Sequence, residues 1–153
     1  MKVMLGGIKM NNISNNMKKH NQLINELQAT YHDSSVKMGI SDSVSLILYA
    51  LCDGDGSCPL NDICRYTSLS KQTVNSAIRN LEKQNIVYLE SINGKSKMVY
   101  LTEEGKEFAN KTVMKLMKFE DEIISSWSKE DLEKFIQLTE RYLVDLREKV
   151  KEL

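Results

Sequence analysis

The fold is decided by the stretch Pro59–Thr102, which reads PLNDICRYTSLSKQTVNSAIRNLEKQNIVYLESINGKSKMVYLT. Its first apolar residues, Leu60, Ile63 and Cys64, recur at helical spacing and predict a short helix with one buried face. The pattern stops at residues 67–68, which predicts a turn before the next helix. The stretch therefore begins as a helix followed by a turn.

A second helix follows this turn. Ser70 offers a hydroxyl for its N-cap, and Asn85 suits a left-handed residue just beyond its end. One face of the helix is apolar and is predicted to be buried, with Val74, Ala77, Ile78 and Leu81. The opposite face is polar and carries Lys71, Gln72, Asn75, Ser76, Arg79 and Lys83.

After Asn85 the spacing of apolar residues changes from the helical period to the alternation typical of strands. Residues 86–89 and 98–101 are β-rich runs, and Asn93-Gly94 between them predicts a type I′ hairpin turn. Lys95 and Lys97 lie beside the tip of this hairpin. A helix, a turn, a polar-faced helix and a basic hairpin together predict a winged helix-turn-helix.

The stretch resembles the DNA-binding core of the MarR family of bacterial transcription regulators. The resemblance is carried by LSKQTV at 69–74, LEK at 81–83 and VYLTEEG at 99–105. Ser68 and Asn85 stand where the family has glycine. Asn93-Gly94-Lys95 replaces its Asp-x-Arg, so a lysine takes the place of the wing arginine. The order of the flanking helices also fits.

Length and composition favour one domain or one compact two-part unit of 153 residues, with 41% hydrophobic residues available for a core. The net charge is zero, yet residues 58–102 hold six Lys or Arg against three Asp or Glu. A local basic excess is typical of a protein that reads nucleic acid. No apolar run approaches the roughly 18 residues of a membrane span, and the first residues lack the pattern of a signal peptide, so neither secretion nor a membrane partner is expected. Three cysteines without a CxxC pair suggest the cytoplasm.

Apolar helical patterns also flank the winged helix. They predict helices over about residues 11–36, from Ser41 to the loop at 53–57, from Thr102 to about 125, and from Ser128 to about 150. The predicted fold class is mainly α with a small β-hairpin wing (α+β). Residues 41–102 would form the winged helix-turn-helix, and residues 1–40 with 103–153 a helical dimerisation module.

The flanking helices carry more apolar surface than the winged helix can cover, which predicts a homodimer. In the resembled family the terminal helices of two chains interlock in this way. The residues expected at the dimer seam are Ile13, Met17, Leu27, Ile136, Leu143, Leu146 and Val150.

Double-stranded DNA is the partner that the polar face and the wing predict. Gln and Asn suit adenine, Arg suits guanine, and Lys suits phosphate. The predicted DNA-binding residues are Ser70, Lys71, Gln72, Thr73, Asn75, Ser76, Arg79, Lys83, Lys95 and Lys97. For the helix alone the competing interpretation is a solvated face, and for the wing lysines it is protection of an edge strand.

A dimer that covers a promoter blocks polymerase by occupancy, and its symmetry matches a pseudo-palindromic operator, so a repressor is expected. The resemblance implies release by a small apolar or phenolic effector. Residues that could border an effector pocket are Met17, Tyr31, Met38, Tyr49 and Tyr88. Taken singly, each of them is better explained as ordinary core.

Other chemistry has weaker support in the sequence. Cysteine-based redox sensing is one alternative, with Cys58 the most exposed of the three candidates and Cys64 on a buried stripe. His20 and His32 lack the spacing of a zinc site, and the Asp53–Ser57 loop lacks the later ligands of a calcium loop. No cofactor and no enzyme activity are expected.

A helical protein-interaction adaptor is the other alternative, and salt-dependent binding to duplex DNA would separate it from a regulator.

Overall fold

The computed structural model describes residues 14–153. Its elements are α1 (Asn15–Met38), α2 (Asp42–Asp53), β1 (Ser57–Pro59), α3 (Leu60–Thr67), α4 (Lys71–Lys83), β2 (Val87–Ile92), β3 (Ser96–Leu101), α5 (Glu103–Lys111), α6 (Val113–Ser125) and α7 (Lys129–Val150). The predicted fold class, mainly helical with a small β wing, is confirmed. Ile13, one of the residues expected at the dimer seam, lies outside the described residues.

Serine or threonine hydroxyls cap the N-termini of most of the helices. Ser41, Ser70, Thr102 and Ser128 each accept a hydrogen bond from the backbone N–H three residues ahead, as the sequence predicts. Ser14 does the same for α1. Such a cap is worth about 1 kcal/mol relative to alanine, so these residues fix where the helices begin.

The core lies among α2, α3, α4 and the sheet. Its fully buried side chains include Ile47, Leu48, Leu51, Ile63, Val74, Leu81, Val99 and Val113. Burying one such side chain contributes roughly 1.5–3 kcal/mol relative to leaving it exposed. The predicted apolar face of α4 is therefore the face that holds the helix on the domain, and its polar face is left outward.

The wing is part of a three-stranded antiparallel sheet with strand order β1-β3-β2. Asn93 and Gly94 have positive φ values of 53° and 72°, as a type I′ turn requires. The predicted hairpin is thus present, but residues 57–59 form a strand that the sequence did not predict, and the loop predicted at 53–57 ends before Ser57. They pair with β3, with Ser57 opposite Tyr100, and three residues are too few to show an alternating pattern.

The single helix predicted from Thr102 to about residue 125 is divided at Thr112. This residue has φ −120° and ψ −104°, outside the helical region. Its hydroxyl donates a hydrogen bond of 2.7 Å to the carbonyl oxygen of Phe108, and such back-bonding bends helices. The buried Val113 then begins α6.

The end of α4 is joined to the start of α5. Asn85 adopts the predicted left-handed conformation with φ 58°, and the Thr102 hydroxyl donates to its carbonyl oxygen at 2.6 Å. A Cβ on Gly105 would lie 1.9 Å from the carbonyl oxygen of Ile86, so only glycine permits this approach. The junction fixes the orientation of α4 relative to the helix that leads out of the winged domain.

Helices α1, α6 and α7 retain large apolar surfaces in the single chain. Leu27 is 54% exposed, Phe119 57% and Val150 53%, and none of the residues of α7 is buried. Within residues 14–153 no single helix is long and apolar enough to cross a membrane. Only α1 and α2 taken together, across a bend of 88°, reach the necessary length and composition.

Candidate nucleic-acid interface

The polar face of α4 is presented to solvent. Most of its predicted DNA-binding residues are exposed, namely Ser70, Lys71, Gln72, Thr73, Ser76, Arg79 and Lys83, and Asn75 is half-buried. The first turn is ordered by Ser70, whose hydroxyl accepts the N–H of Thr73 at 3.1 Å and lies 2.7 Å from the Thr73 hydroxyl. The N-terminal end of this face therefore presents several kinds of hydrogen-bonding group on an ordered first turn.

The cationic groups of this surface have no acidic partner in the part of the chain that the structure describes. Lys71, Arg79, Lys83, Lys95 and Lys97 form no ion pair with any other residue in the range 14–153. Other cations are paired, since Arg65 bonds to Asp62, and Lys106 bonds to Glu103 at 2.7 Å. Lys95 follows the wing turn and Lys97 lies on β3, so both are beside the wing tip.

A cleft of about 360 Å³ lies between the start of α2 and the polar face of α4. Gln72, Thr73 and Ser76 line it from α4, and Ser41 and Ser43 line it from the other side. The sequence indicated Ser41 and Ser43 only as the start of a helix. Their place beside the candidate reading face depends on the packing of α2 against α4, which no local motif signals.

A second cavity, of about 420 Å³, lies on another side of the domain. Its walls come from α1, α2, α3 and α6, the last of which supplies Glu120. The lining residues are Gln28, Tyr31, His32, Ser35, Asp42, Ser45, Leu46, Tyr49, Tyr66 and Glu120. The cavity therefore lies where the winged helix meets the outer helices.

Glu120 is the polar centre of this cavity. Its Oε1 accepts a hydrogen bond from the Tyr31 hydroxyl at 2.5 Å, and its Oε2 accepts one from the Tyr49 hydroxyl at 2.6 Å. The bond to the Glu120 carboxylate and partial burial raise the pKa of Tyr31 to about 12. Burial, and then the Glu120 carboxylate, also raise the pKa of Tyr49 above its ordinary value. Both phenols are thus held as hydrogen-bond donors.

An exposed pair borders the same cavity. His32 Nδ1 lies 2.8 Å from Asp42 Oδ2, joining the last turns of α1 to the start of α2. The hydrogen bond to Asp42 raises the pKa of His32 above its ordinary value, and the bond to His32 lowers the pKa of Asp42. The pair is a local link between these two helices.

The predicted effector-pocket residues are dispersed in the structure. Tyr31 and Tyr49 line the cavity, whereas Met17, Met38 and Tyr88 are not among its lining residues. Met38 packs against the core, and Tyr88 stacks on Tyr100 across the sheet with ring centroids 5.1 Å apart. Glu120 and Tyr66, which the sequence did not single out, complete the aromatic and acidic walls.

The three cysteines are half-buried free thiols. Burial, reinforced by Asp53, raises the pKa of Cys52, and burial, reinforced by Asp62, raises that of Cys58. A raised pKa suppresses the thiolate, which is the form that reacts with oxidants. The environment of these two thiols therefore disfavours the redox-sensing alternative.

The predicted dimer residues within the described range lie on the outer helices. Met17 is half-buried in α1, whereas Leu27, Ile136, Leu143, Leu146 and Val150 are exposed. Within residues 14–153, helices α1 and α7, which carry these residues, make few contacts with each other. One such contact is the edge-to-face packing of His20 on Tyr142, with ring centroids 5.0 Å apart.

Together, these features define a winged helix-turn-helix fold with an outward polar face on α4 and a basic wing. The sequence model of the MarR family matches residues 38–95, from the end of α1 to the wing turn. This segment belongs to the MarR family, and the chain as a whole has the fold of MarR family regulators. The resemblance seen in the sequence is confirmed.

Solved structures show how far the likeness in fold extends. A MarR family regulator from Neisseria meningitidis has a TM-score of 0.78 at 18% identity, covering 91% of this chain and 99% of that one. MepR from Staphylococcus aureus, in a complex with DNA, has a TM-score of 0.64 at 19% identity, covering 84% and 96%. PcaV from Streptomyces coelicolor, in complex with its natural ligand, has a TM-score of 0.60 at 15% identity, covering 80% and 90%. No curated protein matches the chain in sequence.

Proposed function

We propose that this chain is a transcription regulator that binds double-stranded DNA through residues 41–102. The polar face of α4 enters the major groove, and the wing lysines contact phosphates beside it. The observation that carries the proposal is the cationic and amide surface of α4, which has no ion-pair partner within residues 14–153 and is held outward by the buried stripe on its opposite side. The DNA complex of the similarly folded MepR supports this choice.

The functional unit in this proposal is a homodimer. The exposed apolar residues of α1, α6 and α7 would be covered by the same helices of a second copy, which makes residues 103–153 and the N-terminal helix a dimerisation module. Two copies of α4 related by a two-fold axis would read an approximate palindrome. Half-sites about one helical turn apart, roughly 34–36 Å, would match this arrangement.

Regulation would follow from occupancy of the promoter. A dimer that covers a promoter represses by excluding polymerase, and a small molecule in the 420 Å³ cavity would release it by favouring another spacing of the two α4 helices. The ligand complex of PcaV supports an effector role for a cavity in this fold. We place the protein in the cytoplasm with its DNA and assign it no enzymatic role.

Selection of bound sequences from random duplex DNA tests this function. The expected result is enrichment of one motif with two-fold repetition, bound with an affinity that falls steeply as salt rises. Absence of any enriched motif, together with no salt-dependent binding to duplex DNA, would contradict the proposal. That outcome would favour the protein-interaction adaptor.

A further inference from the structure

The walls of the 420 Å³ cavity indicate the chemistry of its ligand. Ligand sites for small molecules usually have volumes of about 300–1,000 Å³, so the cavity falls within their range. Three tyrosines, Tyr31, Tyr49 and Tyr66, are among the lining residues. An aromatic ring attracts a cation to its face through its quadrupole.

The charged groups around the cavity are acidic. Glu120 and Asp42 line it. Burial, and then the Asp53 carboxylate, raise the pKa of Tyr66, another lining residue. Among residues 14–153 no lysine or arginine lines this cavity, and its histidine, His32, is bonded to Asp42. An anionic ligand would therefore meet carboxylates, and within residues 14–153 the one lining group able to carry a positive charge is His32, which is already bonded to Asp42.

Glu120 retains capacity for a further partner. A carboxylate has about four lone-pair sites on its two oxygens, and the hydroxyls of Tyr31 and Tyr49 occupy one on each oxygen. The remaining sites can accept an N–H donor or face a positive charge. Acidic and aromatic groups thus converge on one volume, as they do in sites for organic ammonium ions.

We propose that this cavity binds an organic cation of small-molecule size, with its positive charge against Glu120 and its apolar body on the three tyrosines. The inference rests on the proposed function only for the consequence of binding, which is release from DNA. It differs from the phenolic effector implied by the family resemblance, because a phenol brings a hydroxyl but no positive charge.

The geometry also connects binding to the rest of the molecule. Through its two hydrogen bonds, Glu120 on α6 is tied to Tyr31 on α1 and to Tyr49 on α2. A cation that competes for this carboxylate would change both bonds. It would thereby act on the joint between the winged helix and the outer helices.

Three probes of similar size and shape test the charge preference: benzyltrimethylammonium, the neutral benzyl methyl sulfone, and the anion phenylmethanesulfonate. Their binding to DNA-free protein is measured by calorimetry. The cation should bind at least about ten-fold more tightly than either of the others, a factor within reach of desolvated cation–π and ion contacts. Equal or weaker binding of the cation to the wild-type protein would overturn the inference.

Glu120→Gln should lower the affinity for the cation about ten-fold and leave that for the sulfone within about two-fold. The matched control is Glu122→Gln, which removes the same charge from α6 at an exposed residue that does not line the cavity. Circular dichroism verifies that both variants are folded. If Glu120→Gln unfolds, the three-probe comparison on the wild type decides the matter alone.

A band-shift measurement with a selected DNA site separates this inference from the proposed function. Cation-selective binding by a protein that binds no DNA would contradict the function and leave the ligand class standing. Specific DNA binding without a preference for the cation would contradict the ligand class and leave the function standing.

Discussion

At the scale of single residues, Arg79 and Gln72 carry the proposed base reading. Both are exposed on α4 and neither is used in a side-chain bond within residues 14–153. Replacing either by alanine should cost about 1–3 kcal/mol of binding free energy on the selected site and relax its sequence preference. Competition band shifts against single-base variants of the site measure both effects.

The control for this prediction is Arg141→Ala, which removes an exposed arginine from α7. Its affinity and sequence preference should equal those of the wild type. If Arg79→Ala and Gln72→Ala also keep the wild-type preference, the reading face has been placed on the wrong side of α4.

His32 and Asp42 give a pH dependence with a defined sign. The pKa of His32 is raised from 6.5, so its contribution to stability is fully present below pH 6.5 and is lost as pH rises through the higher folded-state value. The pKa of Asp42 is lowered from 3.8, so its contribution is present above pH 3.8 and is lost as pH falls through the lower folded-state value. The stabilisation by the pair is therefore greatest between pH 3.8 and pH 6.5.

Thermal melts of the wild type and of His32→Asn at several pH values test this dependence. The wild type should have the higher Tm near pH 5, and the difference should shrink towards pH 9. Because both groups are exposed to solvent, the difference is expected to be small. An identical Tm difference at both pH values would mean that the bond does not form in solution.

Residues whose roles depend on near neighbours could be predicted from the sequence. Ser70 as an N-cap, Asn85 as a left-handed terminus and Asn93-Gly94 as a hairpin turn all follow from local backbone chemistry. The Glu120 site could not be predicted in this way. Its partners Tyr31 and Tyr49 are 89 and 71 positions away in the chain, and only the packing of α6 against α1 and α2 brings them together.

At the scale of elements, the wing should contribute affinity without contributing sequence preference. Lys95→Ala combined with Lys97→Ala should weaken binding to all sequences and reduce the slope of log affinity against log salt by about 1–2 units. The matched control is Lys129→Ala with Lys134→Ala on α7, which removes the same charge far along the chain. A wild-type salt slope in the wing variant would place the wing away from the DNA.

A helix or strand could be predicted when its own residues show the apolar spacing of that structure. The buried stripe of α4 and the alternating runs of β2 and β3 are complete in the sequence. Strand β1 is too short to show a period and exists through its pairing with β3. The break at Thr112 was missed because the surrounding apolar pattern continues through it, while the hydroxyl bond to Phe108 that accompanies the bend is a property of the folded chain.

At the scale of the whole molecule, the outer helices are incomplete without a partner. Leu143 and Leu146 are both 45% exposed on the apolar seam of α7. Replacing both by aspartate should give a monomer, because charges would then occupy a surface that a second copy is proposed to bury. Sedimentation measures the oligomeric state, and circular dichroism shows whether the variant is folded.

Arg141→Asp with Glu148→Asp is the control for the dimer variant. These residues lie on the opposite side of α7, roughly 180° round the helix from the seam. The control should remain a dimer that binds DNA normally. A folded Leu143→Asp, Leu146→Asp monomer that binds the full site with wild-type affinity would contradict the dimer and the release mechanism proposed with it.

In the proposed complex, two chains read one DNA site through two copies of α4. Sedimentation of the wild-type protein on a short duplex carrying the selected site tests this most directly. We predict two chains per duplex and a selected motif whose two halves lie about one helical turn apart. One chain per duplex at full affinity, or a motif without two-fold repetition, would contradict the account.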